Sequence, residues 1–298
     1  MEHRDAFSGC HPAINFLYFA LVLLFTMCFL HPVSLVVSLG AALAYALCLK
    51  GGRAIRSGMK ILVPMMLMAA ILNPAFNHEG VTILAYLPSG NPLTLESILR
   101  GLAGAVMLAA VITWFQCYSA VMTSDKFVYL FGRIIPALSL VLSMTLRFIP
   151  KFRAQLAVVT QAQRCLGRDV SQGSVMERVR TGITILSILI TWSLENAIET
   201  ADSMKSRGYG SAGRTAYAIY RFERRDGVAL AVLALLVAGT ILPWLTGSIA
   251  WSFYPTMTGA LLGVGQIISY LSFLGLCLMP LTIDLTEDCK WNSLRSKI

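Results

Sequence analysis

The chain has 298 residues, 56% of them hydrophobic and 13% charged, with a mean hydropathy of +0.69. A soluble domain carries roughly 25% charged residues, so half that share makes lipid the main solvent of this one. The net charge of +9 would elsewhere invite a nucleic-acid partner, but in a chain this apolar it marks basic cytoplasmic loops, and nucleic-acid binding is excluded.

A membrane-spanning helix needs about 20 mostly apolar residues. In chain order, residues 13–30 fit and stop at His31-Pro32. No small-residue cleavage site follows this run, so it reads as a retained anchor and not a removed signal peptide. Residues 33–49 return across the membrane, and residues 61–76, interrupted by Pro64 and Asn73-Pro74, make a weaker third span. Residues 101–122 are a strong fourth. No charge occurs between Gly227 and Ile283, which is enough for two more spans near 228–245 and 260–281, with Gly247, Pro255 and Gly259 marking the turn between them.

Charge then orients the spans. Lys50, Arg53, Arg56 and Lys60 fall between spans two and three, whereas residues 77–97 carry Glu79 and Glu96 and no base. With both termini inside, 23 of the 24 Lys and Arg are cytoplasmic, and only Arg100 remains, placed to snorkel at the outer end of span four.

The segment 123–226 is oversized for a loop. It holds 15 bases against 8 acids, yet contains the apolar runs 134–146 and 183–194. Both are short for spans, and crossing there would put Lys151, Arg153, Arg164, Arg168, Arg178 and Arg180 outside. Long amphipathic helices at the inner leaflet fit better. Phe148, Phe152, Leu156 and Val159 repeat at helical spacing beside Arg147 and Lys151, and Leu194, Ile198, Ala201 and Met204 form a second stripe beside Glu195, Glu199 and Asp202. Each helix ends in a basic, glycine-marked tip, Gln161-Ala-Gln-Arg-Cys-Leu-Gly-Arg-Asp169 and Met204-Lys-Ser-Arg-Gly-Tyr-Gly210. Gly208 suits the position just past a helix end, with Arg207 at the last turn. One such tip is ordinary helix capping. Two in one cytoplasmic segment suit a partner offering two acidic grooves, where the planar guanidinium holds a carboxylate bidentately. The organisation read from these features is a membrane part over 1–123, a coupling-helix region over 124–226 and a second membrane part over 227–298.

Signatures of catalysis are missing. The sequence has no GxxxxGK[ST], HExxH or GxSxG, and no ionisable cluster within a span that would mark a proton-coupled pathway. Seven scattered cysteines without a CxxC, and four dispersed histidines, call for no disulfide framework, metal or cofactor.

At this point the chain resembles the transmembrane coupling subunit, or T component, of energy-coupling factor transporters, the CbiQ/EcfT family. Residues 73–101 resemble the family's outer hairpin, residues 146–164, LRFIPKFRAQLAVVTQAQR, its long cytoplasmic helix, and Ala201-Asp-Ser-Met-Lys-Ser-Arg-Gly-Tyr-Gly210 the second of its two short arginine motifs. The resemblance implies an all-α polytopic protein of about six transmembrane helices plus long coupling helices, in a bacterial or archaeal inner membrane. It implies a non-catalytic subunit that joins two ABC ATPase subunits to one small membrane-embedded S component, which binds the vitamin or metal ion. Coupling to the ATPases would fall to Arg207, Gly208 and Ser206 at the second tip and to Arg164, Leu166, Gly167 and Arg168 at the first. Contact with the S component would fall to Phe148, Phe152, Leu156, Leu194 and Ile198. The family's first motif reads Ala-Arg-Gly, where this chain has Cys165-Leu166-Gly167, so Leu166 stands at the usual arginine position. A polytopic membrane enzyme or lipid-binding assembly factor is the competing reading.

Overall fold

A computed structural model describes residues 6–86, 92–132, 135–211, 220–247, 251–259 and 263–295. The chain divides into two compact units, one made of Met1–Thr123 with Tyr220–Ile298 and the other of Ser124–Ile219. Among the described residues the fold is all-α apart from one two-stranded sheet and an isolated bridge, and six helices are long and apolar enough to cross a membrane. This is a polytopic membrane protein.

The first unit begins with α1 (Pro12–Cys28) and α2 (Pro32–Phe76). Each opens on a His-Pro pair. Proline at the first helical position costs no hydrogen bond, and the preceding histidine caps the turn, His11 Nδ1 accepting from Ala13 N at 3.2 Å and His31 Nδ1 from Val33 N at 3.3 Å. The sequence separates the second and third spans by a loop; the structure instead continues the helix through the basic segment and breaks it only at Gly51, whose φ of +70° is open to glycine. The outer segment forms β1 (Ile83–Tyr86) and β2 (Pro92–Thr94), an antiparallel pair with Ile83 opposite Thr94. The hairpin tip, 87–91, lies outside the described residues. Then α3 (Leu95–Val121) starts on Thr94, whose hydroxyl accepts from Ser97 N at 3.4 Å.

Late in the chain, α7 (Arg224–Leu245) and α8 (Val264–Arg295) complete this unit. Its core is aromatic: Tyr18, Phe19, Tyr45, Trp114 and Phe273 are fully buried, with Tyr18 set edge-on to Trp114 at 6.2 Å between centroids. Without water to exclude, helices in lipid associate through close packing and internal hydrogen bonds. Both devices occur here. Ala41, Ala42, Ala109 and Ala110 are buried, a Cβ at Gly101 would sit 2.8 Å from the Ala70 carbonyl oxygen, and Trp114 Nε1 donates to Ser38 Oγ at 3.0 Å. Backbone N–H groups of the N-terminal segment reach carboxylates of the last two helices, Phe7 N donating to Asp284 Oδ1 at 3.1 Å and His11 N to Asp226 Oδ1 at 3.0 Å. Arg225 adds an ion pair to Glu287 at 2.6 Å. Arg100, the base left outside by the charge partition, lies over the Phe253 ring at 5.4 Å from its centroid.

The second unit consists of α4 (Ser124–Gly132), α5 (Pro136–Cys165) and α6 (Val175–Ser206). The six apolar helices differ from the six spans expected from sequence: α1, at 17 residues, falls among the shorter apolar helices, and α6 enters because its apolar run belongs to a continuous helix of 32 residues.

Candidate coupling site

The contacts between α5 and α6 follow one antiparallel register. Val159 meets Ile185 and Leu189 in a small buried cluster that Phe152 and Val170 join, Phe152 lies edge-on to Trp192 at 5.5 Å, and Lys151 Nζ donates to Asn196 Oδ1. The two helices are therefore an antiparallel hairpin closed by residues 166–174. The first tip lies at this closed end, and the second lies at the far end of α6. A helix of 32 residues is about 48 Å long at 1.5 Å per residue, and that length separates them.

The tips share one backbone device. In the first, Arg168 N donates to Gln163 O at 3.0 Å and Gly167 N to Arg164 O at 2.9 Å, with Gly167 at φ +76°. In the second, Tyr209 N donates to Met204 O and Gly208 N to Lys205 O, both at 3.0 Å, with Gly208 also at φ +76°. These are paired Schellman caps, in which the left-handed glycine turns the chain so that two orphan carbonyls are satisfied. The cap residues superpose in dihedral space as well, Leu166 at φ −87°, ψ 10° and Arg207 at φ −84°, ψ 11°. Leu166 is thus the structural counterpart of Arg207, Cys165 of Ser206, and Arg168 of Tyr209.

Side chains at the first tip are mostly engaged. Arg164 Nε pairs with Asp169 Oδ1 at 3.2 Å, and Arg178 Nε donates to the Val170 carbonyl at 2.8 Å. The Asp169 carboxyl is held below the ordinary carboxylate range, first by the Ser171 backbone N–H at 3.0 Å, then by the Ser171 hydroxyl and the Arg164 charge. Ser174 and Glu177 close the loop with a reciprocal capping box. Leu166 remains 69% exposed, and Arg168 is exposed with no ion pair among the described residues. At the second tip Ser206 Oγ is turned back onto the Ser203 carbonyl at 2.9 Å, whereas Arg207 is exposed and, among the described residues, has no carboxylate partner.

The two apolar stripes separate. Phe152 and Val159 on α5 turn into the hairpin interior, and Phe148 is half-buried beside Lys151, whose ammonium lies 6.0 Å from its ring centroid. Leu156, Leu194 and Ile198 stay exposed, the last two at 63% and 65%. Periodicity could not divide them, since a stripe looks the same whether it faces its neighbour or the surroundings. The Arg164–Asp169 pair and the role of Trp192 were also missed, although a base and an acid five residues apart across a glycine is a readable signal.

Residues 10–217 match the family described as CbiQ, cobalt transport protein. The chain belongs to that family. Among curated CbiQ relatives, an energy-coupling factor transporter transmembrane protein EcfT of Lactobacillus helveticus is 38% identical over 104 residues, 35% of this chain and 38% of that protein. EcfT 1 of Listeria monocytogenes is 28% identical over 200 residues, 62% of this chain and 73% of its own length. EcfT of Streptococcus thermophilus is 29% identical over 198 residues, 63% and 74% respectively. The matched span includes both tips and the hairpin between them.

Proposed function

We propose that this chain is the T component of an energy-coupling factor importer, carrying ATP-driven motion from two ABC ATPase subunits to a substrate-binding S component for a vitamin or transition-metal ion. One observation carries the reading: a single antiparallel hairpin of a CbiQ-family membrane protein ends, at opposite poles, in two caps of the same geometry. Such a part links two bodies and moves them together. ATP hydrolysis belongs to the partners, and this subunit binds no cofactor of its own.

At the second tip the exposed Arg207 guanidinium, fixed by Gly208, enters an acidic ATPase groove and holds a carboxylate bidentately. At the first tip the same backbone presents Leu166, so docking there is apolar, with Arg168 at its rim and Arg164 retained by Asp169. The exposed face of Leu156, Leu194 and Ile198, with Phe148 and Phe152 behind it, receives the S component. The hairpin lies at the cytoplasmic face of the inner membrane, both termini are cytoplasmic, and residues 77–97 are outside. The membrane part is built from 1–123 and 227–298, and the coupling region from 124–226.

Co-purification tests this directly. The tagged chain, expressed with its ATPase partners, should retain two ATPase subunits and one S component, and the Arg207→Ala variant should lose uptake while remaining inserted. A chain that purifies alone and processes lipid would favour the membrane-enzyme reading.

A further inference from the structure

At the open end of the hairpin, opposite the closing residues 166–174, α5 and α6 border a cavity of about 620 Å³. Three bases border it: Arg147 and Lys151 from α5, and Arg207 from the end of α6. Among the described residues Glu199 is the one carboxylate in its wall. Arg147 and Arg207 form no ion pair among the described residues, and neither does Glu199. Lys151 is held in place by uncharged groups, its ammonium donating to Asn196 Oδ1 and lying 5.5 Å from the Trp192 ring centroid, which positions the charge without cancelling it. The described wall of the cavity therefore carries a net formal charge of +2, with Lys151 as its one held donor, and the hydroxyls of Thr200 and Ser203. At the end of α6 the Met204 and Lys205 carbonyls accept from Tyr209 N and Gly208 N.

We propose that this cavity is a phosphate site, filled by the headgroup of an anionic glycerophospholipid. The chemistry matches a phosphate: the Arg147 fork and the Lys151 ammonium share one wall with the Thr200 and Ser203 hydroxyls, and the Arg207 side chain borders it while its own fork is left to the ATPase. The lipid source follows from the rest of the wall, where Met144, Phe148 and Met204 offer apolar surface that a free ion would not use. Val141 and Leu138, exposed on successive turns of α5 leading away from the cavity, continue that surface for an acyl chain. The assignment rests on placing the hairpin at the membrane surface. A bound headgroup would hold the base of Arg207 from the side away from its ATPase, so that lipid composition would set how firmly the second tip is presented.

Native mass spectrometry of the purified full-length chain tests the site, in three arms: phosphatidylglycerol, phosphatidylcholine, and inorganic phosphate without lipid. Phosphatidylglycerol should be retained in preference to phosphatidylcholine. Each basic contact to an anionic headgroup is worth about a fivefold preference, so the Arg147→Gln/Lys151→Gln double variant should bind phosphatidylglycerol about 30-fold more weakly. Glu199→Gln, which removes the opposing charge, should bind it more tightly, a gain that a misfolded variant could not show. Unchanged phosphatidylglycerol retention in the double variant would overturn the proposal, and so would inorganic phosphate binding as well as the lipid. Neither readout needs the ATPases, so a chain that binds the lipid but no ATPase would sink the coupling reading and leave this one standing.

Discussion

The two ends of the coupling hairpin have the same backbone and different chemistry. Each stops on a Schellman cap, each turns at a glycine with φ near +76°, and the cap residues agree within a few degrees. Yet one presents an exposed leucine beside an internally paired Arg164, and the other an exposed arginine with no ion pair among the described residues. The glycine and two backbone hydrogen bonds are enough to build the tip, so the side chain at the cap is free to be matched to whatever it meets. On the proposed coupling role, identical poses with unlike cap side chains would meet two docking grooves that are not equivalent.

The comparison breaks most visibly at Arg207. If its guanidinium forms a desolvated bidentate pair, removing it strands the partner carboxylate and costs about 2–5 kcal/mol of docking. Arg207→Ala should abolish uptake at equal expression, and Arg207→Lys should restore it only partly because an ammonium lacks the fork. At the other pole, Leu166→Ala should cost about 1.5–3 kcal/mol, the value of burying a leucine, and Leu166→Arg should not repair it. Affinity of the purified ATPase subunits for each variant measures both. Rescue by Leu166→Arg would show two equivalent acidic grooves.

The shared backbone is tested by Gly167→Ala and Gly208→Ala. A Cβ in the left-handed region costs roughly 1–2 kcal/mol, so both variants should fray their helix ends and speed hydrogen exchange there. Space does not explain such an effect, since a Cβ at Gly167 meets nothing within 4 Å and at Gly208 only Ser211 Oγ at 3.5 Å. Arg168→Ala and Arg164→Ala should cost uptake less, within about 1 kcal/mol each, because one is a rim charge and the other is spent on an exposed pair. Damage from Arg164→Ala equal to that from Arg207→Ala would mean that Arg164 leaves Asp169 to dock.

How much of this was legible in the sequence depends on which force decides each feature. The apolar runs and the glycine-marked helix ends were readable because hydrophobicity and positive φ are written residue by residue. Gly208 and Gly167 announced their caps, and Leu166 fell in register with Arg207 by counting back one residue. Continuity was less readable. Lys50 to Lys60 look like a loop by charge, but Gly51 breaks the helix at a single residue and the basic stretch stays helical. The run 183–194 looks short only because its flanks are polar, and helical propensity extends it from Val175 to Ser206. Pairing was not readable at all: nothing in the stripe of Phe148, Phe152 and Leu156 says that Phe152 meets Trp192 while Leu156 stays exposed.

The smallest expected effect is on pH. The Asp169 carboxyl, lowered by the Ser171 N–H and the Arg164 charge, stabilises the first-tip loop only while ionised. A lowered folded pKa contributes stability above the unfolded value, ordinarily 3.8, that is lost as pH falls below it. The protection factor of Ser171 N, exchange corrected for its intrinsic pH dependence, should therefore be flat from neutral pH down to the ordinary carboxylate range and fall only in stronger acid. Asp169→Asn should abolish that acid step.

Cys165 and Ser206 occupy the same position in the two caps, one residue before Leu166 and Arg207, and both are exposed. The most direct measurement attaches a thiol-reactive photo-crosslinker to the natural Cys165 in a chain whose other six cysteines are replaced, and separately to Ser206→Cys with Cys165 replaced as well, in the complex assembled in native membranes. Coupling through unlike tips predicts that each position crosslinks to an ATPase subunit, the two adducts mapping to different ATPase copies. Crosslinks from either tip only to lipid or to the S component, with none to an ATPase, would contradict it.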